Sequence, residues 1–307
     1  MELNLDLTGL EKEIKKQKKV RKIILQVPDG LKTKSQEIIS YLEKNTKKII
    51  YLSIEPVYGA CDLATNFLNA VDAELIVHFG HTEFKKSNKN IIYWPTFYEA
   101  NDAEIKKLVS EIDKNLDNKN ICIVGPIQYK KIIEKIEIAV KKAHIIKTKN
   151  TGLLLTNQIL GCDTSILNSV INKIDCIIYF GDGNFHLDAL NQNIEIYNLT
   201  NFKLEKYIPK NNMRKQIMSD YVFKTAKNIG ILVTSKTGQN NYLVAEKLYE
   251  KIKKEGKNPY LLIADFISYD KILGLELDCL INTACPRIID DKENYKIPII
   301  NYKDILK

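Results

Sequence analysis

The sequence holds no CxxC pair, no HExxH, no GxGxxG and no GxxxxGK[ST]. Without a closely spaced cysteine pair, a closed structural zinc site loses its usual foundation. The four histidines, His78, His81, His144 and His186, include no i, i+4 pair of the kind that hydrolytic zinc uses. The glycine-containing stretches "GDGNFH" and "SKTGQN" therefore read as neither a dinucleotide loop nor a P-loop. No apolar run reaches the roughly 18 residues of a membrane span, and "MELNLDLTGLEKEIKKQKK" mixes charge with isolated leucines where a signal peptide has an apolar core. The expectation is a cytoplasmic chain with no membrane partner, whose scattered thiols stay reduced.

Arginine is nearly absent: Arg21, Arg214 and Arg287 are the only ones among 46 Lys+Arg. Where lysine is so strongly preferred, a retained planar guanidinium marks a position that needs a bidentate fork, and Arg287 follows closely on Cys285. The net charge of +8 is spread over segments such as "LEKEIKKQKKVRK" and "EKLYEKIKKEGKN", where Lys alternates with Glu. These are solvated helix faces rather than a nucleic-acid patch, so no direct nucleic-acid partner is expected.

The 307 residues are 45% apolar, enough for two or three packed domains. Short runs rich in Ile and Val recur as "KIILQV", "KKIIYLS", "AELIVHF" and "IIYW", then "NICIVG", "AHIIKT", "DCIIYF" and "IEIYNL", then "NIGILV", "PYLLIA", "LDCLIN" and "IPIINY". Runs apolar throughout are the mark of parallel strands covered on both faces, with the intervening helical patterns as crossovers. The fold class is α/β: three related domains, each a small, mostly parallel four-stranded sheet flanked by helices, arranged with pseudo-threefold symmetry. The boundaries fall at 1–100, 101–205 and 206–307. "CDLATNFLNAVDAELIVHFGH" from Cys61 aligns without a gap on "CDTSILNSVINKIDCIIYFGD" from Cys162, and "DCLINTAC" in the third copy matches "DCIIYFGD" in the second. Cys285 thereby takes the slot of Asp182 and His81. Segments 95–115 and 201–227, charged and helical in pattern, serve as connections; neither has the Gly, Pro and Ser content of a flexible linker.

The six cysteines divide by position. Cys122, Cys176 and Cys279 lie inside strand runs and read as small buried hydrophobes. Cys61 in "EPVYGACDLA", just ahead of an expected helix, Cys162 in "LGCDT" and Cys285 in "TACPR" lie in turns beyond strands, where ligand sites of open α/β sheets collect. Three thiolates, one per repeat, suit a [4Fe-4S] cluster with one iron left open. Spacing alone leaves open that they are three unrelated loop cysteines.

"YGACDLA", "ILGCD" and "TACPR", in that order, with "VPDGL" after the first strand and "SKTGQ" after the ninth, resemble the archaeal diphthamide-biosynthesis family of 2-(3-amino-3-carboxypropyl)histidine synthases, over about residues 5–303. The resemblance implies three related α/β domains, each giving one cysteine (Cys61, Cys162, Cys285) to a [4Fe-4S] cluster, and a homodimer. It implies S-adenosylmethionine as cosubstrate without the CxxxCxxC motif of conventional radical enzymes, a motif this chain also lacks. The implied reaction transfers a 3-amino-3-carboxypropyl radical to imidazole C2 of a histidine in translation elongation factor 2, with an electron donor feeding the cluster. Around S-adenosylmethionine, Arg287 would grip the carboxylate, against a surface or interdomain ion pair as the alternative. Asp29, Lys236 and Gln239, after first strands of repeats, and His81 and Asp182, in the Cys285 slot, would be further pocket residues, against ordinary capping or turn chemistry. No residue is marked as a catalytic base. The rival enzyme reading is a quinolinate-synthase-like [4Fe-4S] dehydratase of similar architecture. A nucleotide- or RNA-binding module with incidental cysteines is the rival outside catalysis.

Overall fold

The computed structural model describes residues 1–306 except 85, 87–89, 152–153, 191–193, 209–211 and 237. The chain divides into two compact units, Met1–Ile208 and Pro209–Lys307.

The first unit runs β1 (Glu2–Asn4), α1 (Leu7–Lys16), β2 (Lys22–Gln26), α2 (Ser35–Thr46), β3 (Ile49–Ser53), α3 (Phe67–Val71), β4 (Leu75–Phe79), β5 (Ile91–Trp94), β6 (Phe97–Glu99), α4 (Asp102–Asn115), β7 (Asn120–Val124), α5 (Lys130–Ala139), β8 (His144–Ile145), β9 (Cys176–Tyr179), α6 (Phe185–Asp188), β10 (Glu195–Thr200) and β11 (Lys203–Tyr207). It holds a parallel sheet of order β3-β2-β4-β5 and a second of order β11-β10-β9-β7-β8. The second unit runs α7 (Asn212–Thr225), β12 (Asn228–Thr234), α8 (Tyr242–Lys254), β13 (Asn258–Ala264), β14 (Cys279–Asn282) and β15 (Ile299–Asn301), with a parallel sheet of order β13-β12-β14-β15.

All twelve apolar runs are strands, and each sheet repeats one wiring: the first strand at the centre, the second on one side, the third and fourth on the other. The central strands β4, β9 and β14 are buried along their whole length, as unbroken apolar runs require. The second strands β3 and β13 are outer strands, and the same apolar composition there leaves Ile49, Tyr51, Tyr260 and Ile263 exposed. Helices pack by their apolar stripes; on α4, Ile105, Leu108 and Ile112 face the core. Its start is fixed by a capping box in which the Glu104 backbone N–H donates to Asn101 Oδ1 at 2.9 Å and the Asn101 N–H donates to Glu104 at 3.0 Å.

Three expectations change. The second sheet has five strands, because β11 folds back antiparallel on β10, so segment 201–227 is a strand and then a helix rather than a helical connection. The helix expected beyond Cys61 shrinks to α3, five residues long. In segment 95–115 a short strand, β6, precedes α4 and pairs antiparallel with β1.

Within the first unit the two large sheets are tied directly. Gln128 Nε2 donates to the Gly80 carbonyl at 2.8 Å and Gln158 Nε2 to Thr82 Oγ1 at 2.8 Å. Tyr98 stacks on Tyr129 at 4.9 Å between centroids. Both donors sit beyond the carboxyl ends of strands, so the loops of the two sheets meet on the side that carries their cysteines.

Candidate functional site: three cysteine turns at the carboxyl ends of three sheets

Cys61 and Cys162 occupy the same place in the same kind of turn. In the first sheet the Asp62 N–H donates to the Gly59 carbonyl at 3.0 Å; in the second the Asp163 N–H donates to the Leu160 carbonyl at 3.1 Å. Each cysteine is the third residue of a four-residue turn that the following aspartate closes, the physical content of the shared Cys-Asp pair. Asp62, buried to 3% exposure, turns its carboxylate back to accept from the Tyr58 and Gly59 N–H groups at 2.8 and 3.2 Å. The Asp163 carboxylate accepts from the Ser165 N–H at 2.9 Å. Gly161 lies so close to the Phe185 ring that a Cβ there would fall 2.2 Å from it, which explains a glycine beside the exposed Cys162.

Behind the Cys61 turn lies a buried polar chain. Gln26, the last residue of β2, donates from Nε2 to the Asp62 carbonyl at 2.9 Å and accepts at Oε1 from the Ala64 N–H at 3.0 Å. Both backbone partners have fixed roles, so the carboxamide orientation is fixed. Its Oε1 also faces His78 Nδ1 at 3.2 Å, and His78 Nε2 faces His81 Nδ1 at 3.2 Å. Since Gln26 Oε1 can only accept, His78 carries its proton on Nδ1, and its bare Nε2 accepts from His81. Burial keeps both rings neutral, lowering His78 to about 3 and His81 to about 4.

Cys285 is reached differently, from the loop after the third strand instead of the second. Asn282 ends β14 at 1% exposure, accepts from the Ala284 N–H at 3.0 Å and donates from Nδ2 to the Cys285 carbonyl at 2.8 Å and to Asn301 Oδ1 at 2.9 Å. The Ile288 N–H donates to the Cys285 carbonyl at 3.1 Å and opens the short 3-10 helix Pro286–Asn294.

The three third strands share one device. The residue near the end of each strand reaches the slot three positions on: His78 to His81, Tyr179 OH to the Asp182 carbonyl at 3.3 Å, and Asn282 to Cys285. In the first two sheets the loops after first and third strands also touch through equivalent residues. A Cβ on Gly80 would lie 2.7 Å from the Pro28 ring, and one on Gly181 would lie 2.8 Å from Pro126. Open α/β sheets bind ligands beyond the carboxyl ends of their strands, the side on which these loops lie.

The other predicted residues lie on the same side of their sheets. Asp29 opens a 3-10 turn after β2 and pairs with Lys32 at 2.5 Å, the turn chemistry that stood as its alternative. Asp182 is exposed and accepts from the Tyr129 hydroxyl, whose pKa is driven up by burial and by that carboxylate. Lys236 lies over the Phe266 ring at 6.0 Å, and the Gln239 N–H donates to the Lys236 carbonyl at 2.9 Å. Asn241 Nδ2 links this loop to the Cys285 side by donating to the Thr283 carbonyl at 2.7 Å. Arg287 is exposed in the 3-10 helix that Cys285 opens.

Comparison with known proteins decides the family. The model of the family described as "Putative diphthamide synthesis protein" matches residues 27–305. The chain belongs to this diphthamide synthesis family. A relative named 2-(3-amino-3-carboxypropyl)histidine synthase from Methanocaldococcus jannaschii is 28% identical over 96% of this chain and 87% of its own length. One of the same name from Pyrococcus horikoshii is 24% identical over 93% and 84%. The crystal structure of Dph2 from Pyrococcus horikoshii with a 4Fe-4S cluster shares the fold, with a TM-score of 0.86 and 22% identity over 98% of this chain and 89% of that one. Membership sets the chain apart from the quinolinate-synthase-like and nucleic-acid-binding alternatives.

For a member of the diphthamide synthesis family, the two cysteine classes differ in the expected sense. Cys122, Cys176 and Cys279 are fully buried, and burial pushes their thiols up to about 12, 11 and 12, which suits packing and not metal ligation. Cys61 and Cys285 are half-buried and Cys162 is exposed. Cys61 and Cys162 lie in the first unit and Cys285 in the second. Among the described residues no three His, Cys, Asp or Glu side chains form a ready metal site. The donor chemistry nonetheless fits a thiolate-bound cluster: three accessible thiols, each among small residues. Sequence reasoning missed Gln26, His78 and Asn282. The available signal was a polar residue breaking an apolar run near its carboxyl end, as in "KIILQ" and "DCLIN".

Proposed function

We propose that this chain catalyses the first step of diphthamide biosynthesis, transferring the 3-amino-3-carboxypropyl group of S-adenosylmethionine to imidazole C2 of a histidine in translation elongation factor 2. The observation that carries the reading is the set of three turn thiols, one beyond the carboxyl ends of each of three like sheets, in a chain whose named relatives are synthases of this kind. Cys61, Cys162 and Cys285 would hold a [4Fe-4S] cluster through their thiolates, one from each of three domains, 1–100, 101–205 and 206–307, set about a pseudo-threefold axis. When bound, the cluster would supply the one electron needed to break the S–C bond to the aminocarboxypropyl group with release of methylthioadenosine, and would be the acceptor for the electron that the C2 adduct gives up with its proton.

The chain's own residues supply position. Arg287 offers the fork that a carboxylate needs. Asp29, Lys236, Gln239, His81 and Asp182 line the loop side where the amino and ribosyl groups would lie. His78 and His81, held neutral by burial, add no positive charge beside Cys61. A cytoplasmic homodimer served by a separate electron donor completes the reading.

The test is anaerobic incubation of the reduced protein with S-adenosylmethionine and the elongation factor. The expected products are methylthioadenosine and a factor heavier by one aminocarboxypropyl group on a single histidine. Deoxyadenosine or S-adenosylhomocysteine in place of methylthioadenosine would overturn the assignment.

A further inference from the structure

Buried backbone groups must find partners, and a turn that presents a metal ligand cannot find them in a strand ladder. In two of the three cysteine turns one side chain meets that need. Gln26 brackets Asp62 and Ala64, immediately after Cys61, with one donor and one acceptor. Asn282 brackets Ala284 and Cys285 in the same way. They are 2% and 1% exposed, lie in different units and come from different strands. They are also not repeat equivalents: the strand register pairs Gln26 with His78 and Leu232 with Asn282, so the arrangement arises separately in each sheet.

A carboxamide is a neutral side-chain group that offers both a donor and an acceptor from one plane. A carboxylate of the same shape would accept from Ala64 or Ala284 but would set an oxygen against the Asp62 or Cys285 carbonyl, and would bring a buried negative charge against the backbone of the cysteine turn. An apolar residue would take away the side-chain partner of each backbone group, leaving the Cys285 carbonyl with the Ile288 N–H alone.

We propose that Gln26 and Asn282 are positioning residues for the cluster, fixing the Cys61 and Cys285 turns in ligating geometry while adding no charge next to the sulfurs. The inference rests on the reading that these cysteines ligate a [4Fe-4S] cluster. It reaches beyond it by giving two residues that bond the backbone of the turns control over cluster retention and potential, since charge and hydrogen bonding near the sulfurs set that potential.

The experiment compares wild type with Gln26→Glu, Gln26→Ala, Asn282→Asp and Asn282→Ala, each reconstituted anaerobically with iron and sulfide. Iron per chain, the EPR spectrum of the reduced cluster and its midpoint potential are measured, with amide hydrogen exchange at Ala64 and Ala284 followed in the metal-free proteins. The alanine variants should lose at least half the bound iron, and exchange at the matching amide should quicken at least tenfold. The acidic variants should keep that amide protected and shift the potential of the remaining cluster to more negative values. A role confined to fold stability would lower the melting temperature and leave the potential and spectrum at wild-type values, and that result overturns the inference. The two residues sit in separate units, so if one variant fails to fold the other still decides. Wild type that takes up no iron would defeat the cluster reading instead, and unprotected Ala64 and Ala284 amides in metal-free wild type would defeat the inference by itself.

Discussion

At the scale of single residues, the Gln26–His78–His81 chain makes a prediction that needs no metal. Both rings have folded pKa values, about 3 and about 4, below the ordinary 6.5, chiefly because burial disfavours the charged form. A depressed pKa means that the unfolded state binds the proton first, so stability is complete above about pH 6.5 and is lost as pH falls toward 4 and then 3. The groups facing His78 are Gln26, His81 and the Tyr93 ring, and none is an anion that would stabilise the protonated ring; at His81 the Asp62 carboxylate counters burial only in part. Denaturant unfolding of the metal-free protein should show stability falling with a slope approaching two protons over that window, and His81→Asn should remove about one of them. A flat profile between pH 6.5 and 4.5 would show that the rings are protonated in the folded state or are not buried.

At the scale of elements, local chemistry can be separated from the site. Replacing Asn101 with Ala removes the cap of α4 and should cost about 1 kcal/mol in urea unfolding. Iron uptake should not change, because α4 packs behind the second sheet on the core side of Tyr98 and Ala100. A loss of iron in that variant would mean that the cysteine turns depend on helix stability more broadly than their hydrogen bonds indicate.

Elements also show where the sequence could be read and where it could not. The parallel strands were legible because burial on both faces demands unbroken apolar runs, and β4, β9 and β14 obey it residue by residue. Strand β11 was not. Its residues "KLEKY" lie at a sheet edge, largely in solvent, and the turn that leads into it uses Asn201 and Phe202 at φ 49 and 60, without the glycine that usually signals such a hairpin. The run "AHIIKT" keeps only His144–Ile145 as strand, because the chain then leaves β7 and returns beside it at Gln158. At the site, the thiols were legible from repeat position, since strand thiols and turn thiols meet different surroundings. Gln26 was not, because its partners, Asp62 and Ala64, lie more than thirty residues along the chain and are backbone groups whose identity the sequence does not show.

At the scale of the whole molecule, the account requires three thiols from distant parts of the chain to serve one cofactor, and three others to serve only packing. The reading ties function to the arrangement of like sheets: each contributes a turn beyond the carboxyl ends of its strands, after the outer second strand in the first two sheets and after the buried third strand in the last. The most direct test is the iron and sulfide content of the anaerobically reconstituted protein and of its six single Cys→Ala variants. Wild type should hold about four irons and four sulfides per chain. Cys122→Ala, Cys176→Ala and Cys279→Ala should match it while losing about 1 kcal/mol of stability each to the small cavity. Cys61→Ala, Cys162→Ala and Cys285→Ala should each lose most of the iron with little change in unfolding. Full iron in any one of these last three, or its loss in the strand variants alone, would contradict the account.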